Sequence, residues 1–293
     1  MSITRAGLIA RFTLPAAVAA LTEAAEWLAA HGCTPVIEVQ SAAAAGLHAR
    51  WETERRESLA ASADVVIAFG GDGTLLDAAG AVAQAGSDVP VLGVNLGRLG
   101  FLTEVNRSDL VGALSAVLEG RTSIDSRLML AGRISRDGQL VSERIALNDI
   151  VVTRSALSRM IEIDVHVDDQ FVCHVKADGL ILATATGSTA YNLSAGGPIL
   201  DPAVDAFVLT PIAPHALTNR PLVLPASARV QLRPLVDDHP SDIIATFDGQ
   251  HGLALASDDT ITLRRAPRPL RLLRVSSRTH FDMLREKLKW GNG

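Results

Sequence analysis

Roughly the first 120 residues of this chain alternate between apolar runs typical of strands and apolar spacings typical of helices. Strand patterns cover residues 7–12, 34–39, 64–69 and 89–94, helix patterns cover residues 16–30, 75–84 and 108–118, and residues 42–59 form a weaker helix or a loop. Strands that alternate with helices form a parallel sheet with helical crossovers, and ligands of such sheets bind at the carboxyl ends of the strands. We therefore expect an α/β domain over residues 1–122.

The pattern changes after Arg121, where short alternating or apolar runs are separated by Asp-Gly, Asp-Asp and Asn turn signals. The predicted strands cover residues 128–135, 139–145, 149–154, 160–167, 171–175, 179–184, 208–211, 229–235, 243–247, 260–263 and 271–275. Many short strands at this spacing predict a β-sandwich or barrel-like domain, which we assign to residues 123–276. The last pattern, residues 281–290, is helical, and we expect residues 277–293 to pack back on the first domain.

Length and composition exclude several classes of protein. A chain of 293 residues suits about two domains, and 48 % hydrophobic residues with 4 % aromatics implies cores of Ala, Val, Leu and Ile. The net charge of −5 argues against a nucleic-acid surface, and no apolar run approaches a membrane span of about 18 residues. Cys33 and Cys173 make neither a metal-ligand spacing nor a disulfide framework. With no leader pattern at the N-terminus, we expect a soluble cytoplasmic protein that binds neither nucleic acid nor membrane.

A glycine loop, Gly70-Gly71-Asp72-Gly73-Thr74, follows the third predicted strand and precedes a helix. Glycines let the backbone approach a ligand, and a helix N-terminus offers N–H groups and partial positive charge, so the loop suits a polyphosphate beside a hydroxyl on which Asp72 acts. A Walker loop needs a lysine after the glycines, and the dinucleotide fingerprint needs a glycine where Leu76 stands, so neither template fits. The alternative interpretation is that Asp72 or Thr74 only caps the helix.

Two segments in the second half carry polar groups suited to a nucleotide. Asn148 and Asp149 stand at the entrance of an apolar strand, where an amide and a carboxylate together suit a ribose diol, although an Asn-Asp turn is the alternative. Residues 178–198 run from a strand into small and hydroxyl-bearing residues, which keep a cleft open and bind a ligand without charge. A serine-hydrolase elbow around Ser194 fails, because Asn192 stands where the first glycine is needed.

In this order and at these separations, the three segments resemble those of the NAD kinase family. Residues 95–102, 214–222 and 248–250 match as well, so the resemblance covers nearly the whole chain. The glycine loop also occurs in diacylglycerol-type lipid kinases, whereas the run over residues 186–198 is specific. The resemblance implies a Rossmann-like α/β domain with a parallel sheet, an all-β sandwich domain, and transfer of the terminal phosphate of ATP to the adenosine ribose 2′-hydroxyl of NAD, giving NADP.

The resemblance also implies roles for individual residues. Asp72 would be the catalytic carboxylate, which accepts or orients the hydroxyl proton. Asn148 and Asp149 would bind the ribose and adenine side, Asp178 the nicotinamide end, and the hydroxyl-rich run the body of the dinucleotide, with Phe101 near the adenine. The implied substrate- and nucleotide-binding residues are Gly71, Gly73, Thr74, Phe101, Asn148, Asp149, Lys176, Asp178, Thr189, Ala190, Tyr191 and Ser194.

The expected cofactors are ATP as phosphate donor and Mg²⁺ or another divalent cation, held largely by nucleotide phosphates, with no protein ligand assigned. Members of the family form dimers or tetramers, so we expect a homodimer or homotetramer. Asp149 stands where Glu is commoner, and Ala185 replaces a usual proline. Lys176 occupies a place that is basic in members choosing NAD over NADH, and we expect that preference here. The alternatives are a lipid kinase, a non-catalytic NAD-binding regulator and an NAD kinase that uses polyphosphate.

Overall fold

The computed structural model of this chain describes residues 3–97, 100–154, 160–216, 218–235, 243–256 and 258–290. Arg98, Leu99 and Leu217, which belong to the matched segments, lie outside the described residues. The chain divides into two compact units: unit 1 is Met1–Ser126 with Leu270–Gly293, and unit 2 is Arg127–Pro269. The domain boundaries expected at residues 122 and 276 stay predictions.

The helices over the described residues are α1 (Pro15–Ala30), α2 (Val39–Ala45), α3 (Arg56–Ser62), α4 (Asp72–Gln84), α5 (Leu110–Leu118), α6 (Tyr191–Ser194) and α7 (His280–Leu288). The strands are β1 (Arg5–Ala10), β2 (Thr34–Glu38), β3 (Glu52–Glu54), β4 (Val65–Phe69), β5 (Val91–Asn95), β6 (Val105–Asn106), β7 (Ser123–Arg127), β8 (Leu130–Arg136), β9 (Gln139–Ala146), β10 (Asp149–Arg154), β11 (Ile161–Val167), β12 (Gln170–Ala177), β13 (Gly179–Thr184), β14 (Ala206–Ile212), β15 (Leu222–Pro225), β16 (Val230–Leu235), β17 (Ile243–Phe247), β18 (His251–Ala254), β19 (Asp259–Arg265) and β20 (Leu270–Arg274). None of these helices is both long and apolar enough to cross a membrane.

Unit 1 is built on a mostly parallel sheet in the order β3-β2-β1-β4-β5-β20-β7, with β6 paired to β5. Every residue of β4 and of β5 is buried, as a parallel strand covered on both faces requires. Helix α1 presents a stripe of buried alanines and leucines to this core, and Pro15 stands in its first turn. These elements hold the carboxyl end of β4, where the glycine loop begins, in the middle of one sheet edge.

Unit 1 differs from the sequence prediction at residues 42–59 and in the pairing of its last strand. Residues 42–59, expected as a weak helix or loop, contain the end of α2, strand β3 and the first half of α3. Their short elements carry too few apolar residues for a clear period. The strand expected at residues 271–275 forms as β20, but Leu272 pairs with Val91 of β5, so this strand belongs to the sheet of unit 1 rather than to the β series before it. An apolar run shows that a strand forms but not which strand it pairs with.

Unit 2 consists of two antiparallel sheets over one apolar core. Their orders over the described residues are β15-β14-β13-β10-β17-β18 and β12-β11-β16-β19-β8-β9. Inward and outward residues alternate along β11 and β19, as expected of strands with one face on a core. In the first sheet, Asp149 pairs with Ala183 and Thr153 with Gly179, which fixes the ends of β10 and β13 relative to each other. The predicted class, an α/β domain with an all-β domain and a final helix, is confirmed.

Candidate active site

Asp72 is the first residue of α4, directly after β4 and the glycine pair. Gly71 has an extended backbone and occupies the N-cap position, so the helix begins three residues before the predicted residue 75. The N–H of Gly70 donates to the carbonyl of Val94 at 2.9 Å, which ties the loop to the end of β5. Gly73 is exposed and Thr74 half-buried. The positive end of a helix of 13 residues therefore stands at the carboxyl edge of the sheet.

The Asp72 carboxylate is held by the segment that follows β5. Its Oδ2 accepts a hydrogen bond from the N–H of Phe101 at 2.7 Å. Its Oδ1 accepts three, from the N–H of Leu102 at 3.2 Å and from the N–H and hydroxyl of Thr103, each at 3.0 Å. A carboxylate offers about four lone-pair sites, two on each oxygen. The lone pairs of Oδ1 are therefore all occupied, and Oδ2 can accept one more hydrogen bond.

Thr103 is itself fixed, because its buried hydroxyl accepts from the amide of Asn95 at 2.9 Å and from the N–H of Gly100 at 3.2 Å. Gly100 lies so close to the carboxylate that a Cβ there would stand 1.8 Å from Oδ1 of Asp72. Only glycine lets this backbone pass the carboxylate. The two segments that the sequence presents separately, the glycine loop and residues 95–102, thus form one hydrogen-bonded group.

In unit 2, the backbone of the Asn148–Asp149 pair is held by a second carboxylate, Asp248. This carboxylate accepts from the N–H groups of Leu147 at 2.8 Å, Asn148 at 2.7 Å and Asp149 at 3.1 Å. In return, the N–H of Asp248 donates to the carbonyl of Asp149 at 2.9 Å. Asp248 follows β17, the strand paired with β10, and so closes the entrance of the strand on which the pair stands.

Asp149 is nearly fully buried, with 5 % of its surface exposed, and among the described residues nothing donates a hydrogen bond to its carboxylate. Burial, and then the charge of Asp248, raises its pKa from the ordinary 3.8 to about 7. Burial also raises the pKa of Asp248, but the three backbone donors oppose that effect by stabilising its charged form. Of the two acids, Asp149 is therefore the one that takes up a proton first.

The hydroxyl-rich run joins the Asn148–Asp149 pair through the end of β13. The N–H of Thr184 donates to the carbonyl of Asn148 at 2.9 Å, and its hydroxyl donates to the carbonyl of Leu147 at 2.6 Å. A Cβ on Gly187 would lie 2.0 Å from the carbonyl oxygen of Asn148, so the run can pass this carbonyl only with glycine there. The structure thus brings together two of the predicted binding segments.

Within that run, the buried polar side chains bond to the backbone of the loop itself. The Ser188 hydroxyl donates to the carbonyl of Ala185 at 2.6 Å, and the Asn192 amide donates to the carbonyls of Ser188 and Pro198 at 3.0 Å. Both side chains are buried and serve the fold. Of the predicted binding residues, Thr189 and Ala190 are half-buried, and Tyr191 and Ser194 are exposed.

Lys176 and Asp178 lie apart from this group. They stand before Gly179, the first residue of β13, whereas Asn148 and Asp149 lie beside the last residues of that strand. At about 3.3 Å per residue, the two ends of β13 are separated by about 16 Å. Asp178 is exposed, and Lys176 donates to Glu162 at 2.7 Å. The predicted residues of unit 2 therefore form two groups.

Sequence reasoning missed the roles of Thr103 and Asp248. Asp248 belongs to a matched segment, and an Asp-Gly signal after a strand marks it as a turn, but nothing in the sequence pattern shows which backbone groups its carboxylate contacts.

In the part of the chain that the structure describes, no group of three or more His, Cys, Asp or Glu side chains is placed to hold a metal ion.

The α/β unit, with a glycine loop and a carboxylate at the carboxyl end of a central parallel strand, defines a nucleotide-binding protein. A family model described as the ATP-NAD kinase N-terminal domain matches residues 7–122, and one described as the ATP-NAD kinase C-terminal domain matches residues 147–275. The chain belongs to the ATP-NAD kinase family, and the resemblance seen in its sequence is confirmed.

Individual relatives agree with this membership. The chain is 46 % identical over 267 residues to the NAD kinase of Koribacter versatilis (strain Ellin345), which covers 91 % of both chains. Its structure is similar to the crystal structure of yeast NADH kinase complexed with NADH, with a TM-score of 0.89 and 25 % identity over 100 % of this chain and 89 % of that one. It is also similar to an NAD kinase from Archaeoglobus fulgidus in complex with ATP, with a TM-score of 0.72 and 25 % identity over 98 % of this chain and 99 % of that one.

Proposed function

We propose that this chain transfers the terminal phosphate of ATP to the adenosine ribose 2′-hydroxyl of NAD, with Asp72 as the base. The observation that carries the role of Asp72 is the unequal use of its two oxygens, since Oδ1 accepts three hydrogen bonds and Oδ2 accepts one. The free lone pair of Oδ2 takes the ribose proton. The 2′-oxygen then bonds to the γ-phosphorus, the bond from that phosphorus to the β,γ-bridging oxygen breaks, and ADP leaves.

Binding of the phosphates is assigned to Gly71, Gly73 and Thr74, where backbone and helix dipole favour negative charge. The divalent cation is assigned to the phosphates of ATP. The Asp72 carboxylate already accepts four hydrogen bonds, which leaves one lone pair of Oδ2 for any further partner. It is therefore poorly suited to be a ligand of Mg²⁺, which takes oxygen ligands and waters in octahedral geometry. Most of the catalytic effect then comes from positioning and from neutralising phosphate charge.

The dinucleotide is assigned to the residues of unit 2. Asn148 and Asp149 suit the ribose and adenine side, because a buried acid and an amide can both accept from hydroxyls. Thr189, Ala190, Tyr191 and Ser194, which are half-buried or exposed, suit the body of the molecule, and Phe101 in unit 1 suits the adenine.

Lys176 and Asp178, about 16 Å along β13 from Asn148, are assigned to the nicotinamide end.

We propose a homodimer or homotetramer, in keeping with the exposed Phe171 and Val172 on β12, the edge strand of its sheet over the described residues. Light scattering after gel filtration measures the oligomeric state, and a monomer at micromolar concentration would contradict this proposal.

We also propose that Lys176 favours NAD over NADH as the substrate, and equal turnover of NAD and NADH would contradict this role.

The proposed activity is tested by incubating the protein with Mg²⁺, NAD and either ATP or polyphosphate, and measuring NADP. With ATP, Asp72→Asn should keep NAD affinity and lose about 10²- to 10⁴-fold in kcat, because a positioned base contributes that much. Asp109→Asn, an exposed acid elsewhere in unit 1, is the matched control and should be normal. Near-normal turnover by Asp72→Asn would remove Asp72 as the base, and NAD binding without NADP from either donor would indicate a regulator instead of a kinase.

A further inference from the structure

The hydroxyl of Thr103 is the one side-chain donor to the Asp72 carboxylate among the described residues. The other three donors are backbone N–H groups. The chain itself fixes the direction of a backbone N–H, whereas a hydroxyl rotates about its C–O bond and can point its proton to any acceptor within reach. Something other than the backbone must therefore direct this proton to Asp72.

The direction of the Thr103 proton follows from the bonds that its oxygen accepts. A hydroxyl has one proton and two lone pairs. The amide nitrogen of Asn95 donates to this oxygen at 2.9 Å, and the N–H of Gly100 donates to it at 3.2 Å, so both lone pairs are occupied. The proton is left with the remaining direction, toward Oδ1 of Asp72 at 3.0 Å. Two donors to the hydroxyl thus turn its proton to the carboxylate.

The Asn95 side chain is fixed in the orientation that makes it a donor to Thr103. Its Oδ1 accepts from the N–H of Gly97 at 2.8 Å, and the opposite orientation of the amide would set Nδ2 against that N–H, a donor against a donor. Asn95 is the last residue of β5 and is 4 % exposed, and Thr103 is fully buried. Amide, hydroxyl and carboxylate therefore form a directed chain of hydrogen bonds, in which each bond strengthens the next.

Other contacts hold the backbone that carries Thr103. Glu104, the next residue, is buried, and its carboxylate accepts from the N–H of Val275 at 2.6 Å and pairs with Arg274 at 2.5 Å. This anchor to the end of β20 keeps the segment in place independently of Asn95. What Asn95 contributes is the direction of the hydroxyl.

We propose that Asn95 is a positioning residue for phosphate transfer. Its amide turns the Thr103 proton onto Oδ1 of Asp72 and so leaves Oδ2 as the oxygen that takes the ribose proton. The last torsion of an aspartate side chain is broad, so the plane of the carboxylate depends on its hydrogen bonds. A hydroxyl turned away would present a lone pair to Oδ1 and let the carboxylate rotate. This inference rests on the proposed function, because it concerns the base of that reaction.

The test is a double-substitution cycle on kcat for NADP formation from Mg²⁺-ATP and NAD. Thr103→Val removes a hydrogen bond to a charged group and should lower kcat about 10- to 100-fold. Asn95→Ala keeps the hydroxyl but releases its direction, and should lower kcat about fivefold. The double variant should have the kcat of Thr103→Val, because Asn95 acts through a hydroxyl that is then missing. The KM values for NAD and ATP should not change.

A second background needs no substitution at Thr103. In Asp72→Asn, the base is missing, so adding Asn95→Ala should cause no further loss of kcat. Thr103→Ser keeps the hydroxyl and loses a methyl group, and it should restore kcat to near the wild-type value. All variants are assayed below their Tm, measured by calorimetry, so that unfolded protein does not lower the measured kcat.

Ser87→Ala is the matched control. The Ser87 hydroxyl also makes two hydrogen bonds in unit 1, since it donates to the carbonyl of Ala60 at 2.5 Å and accepts from the N–H of Val89 at 3.2 Å. These residues precede the opposite end of β5, which begins at Val91. Ser87→Ala should leave kcat unchanged.

Losses that multiply in either double variant would overturn the inference, because Asn95 would then act by another route, such as its bond to Gly97. An unchanged kcat in Asn95→Ala, or no recovery in Thr103→Ser, would overturn it as well. Absence of NADP from the wild-type protein would overturn the proposed function and this inference together. NADP from the wild type with multiplied losses in the double variants would overturn the inference alone.

Discussion

Gly100 faces the Asp72 carboxylate at a distance that leaves no room for a side chain, since an added Cβ would stand 1.8 Å from Oδ1. Gly100→Ala must therefore displace either the carboxylate or the segment that holds it. We expect kcat for NADP formation to fall about 100-fold, the lower end of what a positioned base contributes. Gly97→Ala is the control, because a Cβ at that position finds its nearest neighbour at 4.0 Å. Equal kcat values for the two variants would show that the position of Asp72 does not matter.

Asp149 gives the protein a pH-dependent stability. Its pKa is raised to about 7 in the folded state, so the protonated acid is favoured there. The stability it contributes is complete below the unfolded pKa, about 4, and is lost as the pH rises through about 7. Asp149→Asn cannot ionise, so the Tm of the variant minus that of the wild type should increase between about pH 5 and about pH 8. A difference that stays constant over this range, measured by calorimetry, would contradict the raised pKa.

At the same scale, the sequence indicates candidate carboxylates and amides better than it predicts which groups hold them in place. Asp72 and the Asn148–Asp149 pair stand out because they follow or open apolar runs. The donors to Asp72 are backbone N–H groups 29 to 31 positions away, and those have no signature in a sequence. Asp248, about 100 positions from Asn148, is visible as an acid in a turn, but its contact depends on the pairing of β10 with β17.

Among the elements, α7 shows how a local signal fixes the start of a helix. The Thr279 hydroxyl accepts from the N–H of Asp282, and the Asp282 carboxylate accepts from the N–H of Thr279, which makes a reciprocal cap. Thr279→Ala should lower the free energy of unfolding of unit 1 by about 1 kcal/mol. Thr22→Ala is a matched control, because the Thr22 hydroxyl only donates to the carbonyl of Val18 within α1, a bond that does not stabilise a helix. Urea unfolding measures the free energy of unfolding of both variants. If both lose the same amount, the cap is not the cause of the loss.

Long buried elements were predicted well, and short edge strands were not. Strands β4, β10 and β13 formed at or within one residue of their predicted bounds, because each contains a run of three or more consecutive apolar residues. The sequence predicts no strand at β3, β15 or β18, and each of these lies at the edge of its sheet over the described residues. An edge strand of three or four residues is defined by its hydrogen-bonded neighbour more than by its own side chains.

For the whole molecule, the order of the sheet makes unit 1 discontinuous in sequence and unit 2 continuous. Strand β20 lies between β5 and β7, so a fragment of residues 1–126 lacks an interior strand and leaves two edges unpaired. Residues 127–269 retain their complete apolar core. We expect the second fragment to unfold cooperatively in urea with the circular dichroism of a β protein, and the first to show no cooperative transition. A cooperative transition in residues 1–126 would show that β20 is dispensable.

The position of β20 in the sheet also sets the order in which the two units can fold during synthesis. Residues 270–274 leave the ribosome only after all of residues 127–269, so the nascent chain can complete its second unit before its first. The glycine loop, although encoded early, stands on a sheet that is not filled until the last strand arrives. A chain truncated before that strand would therefore hold a folded β domain, while the sheet under its glycine loop would still lack an interior strand.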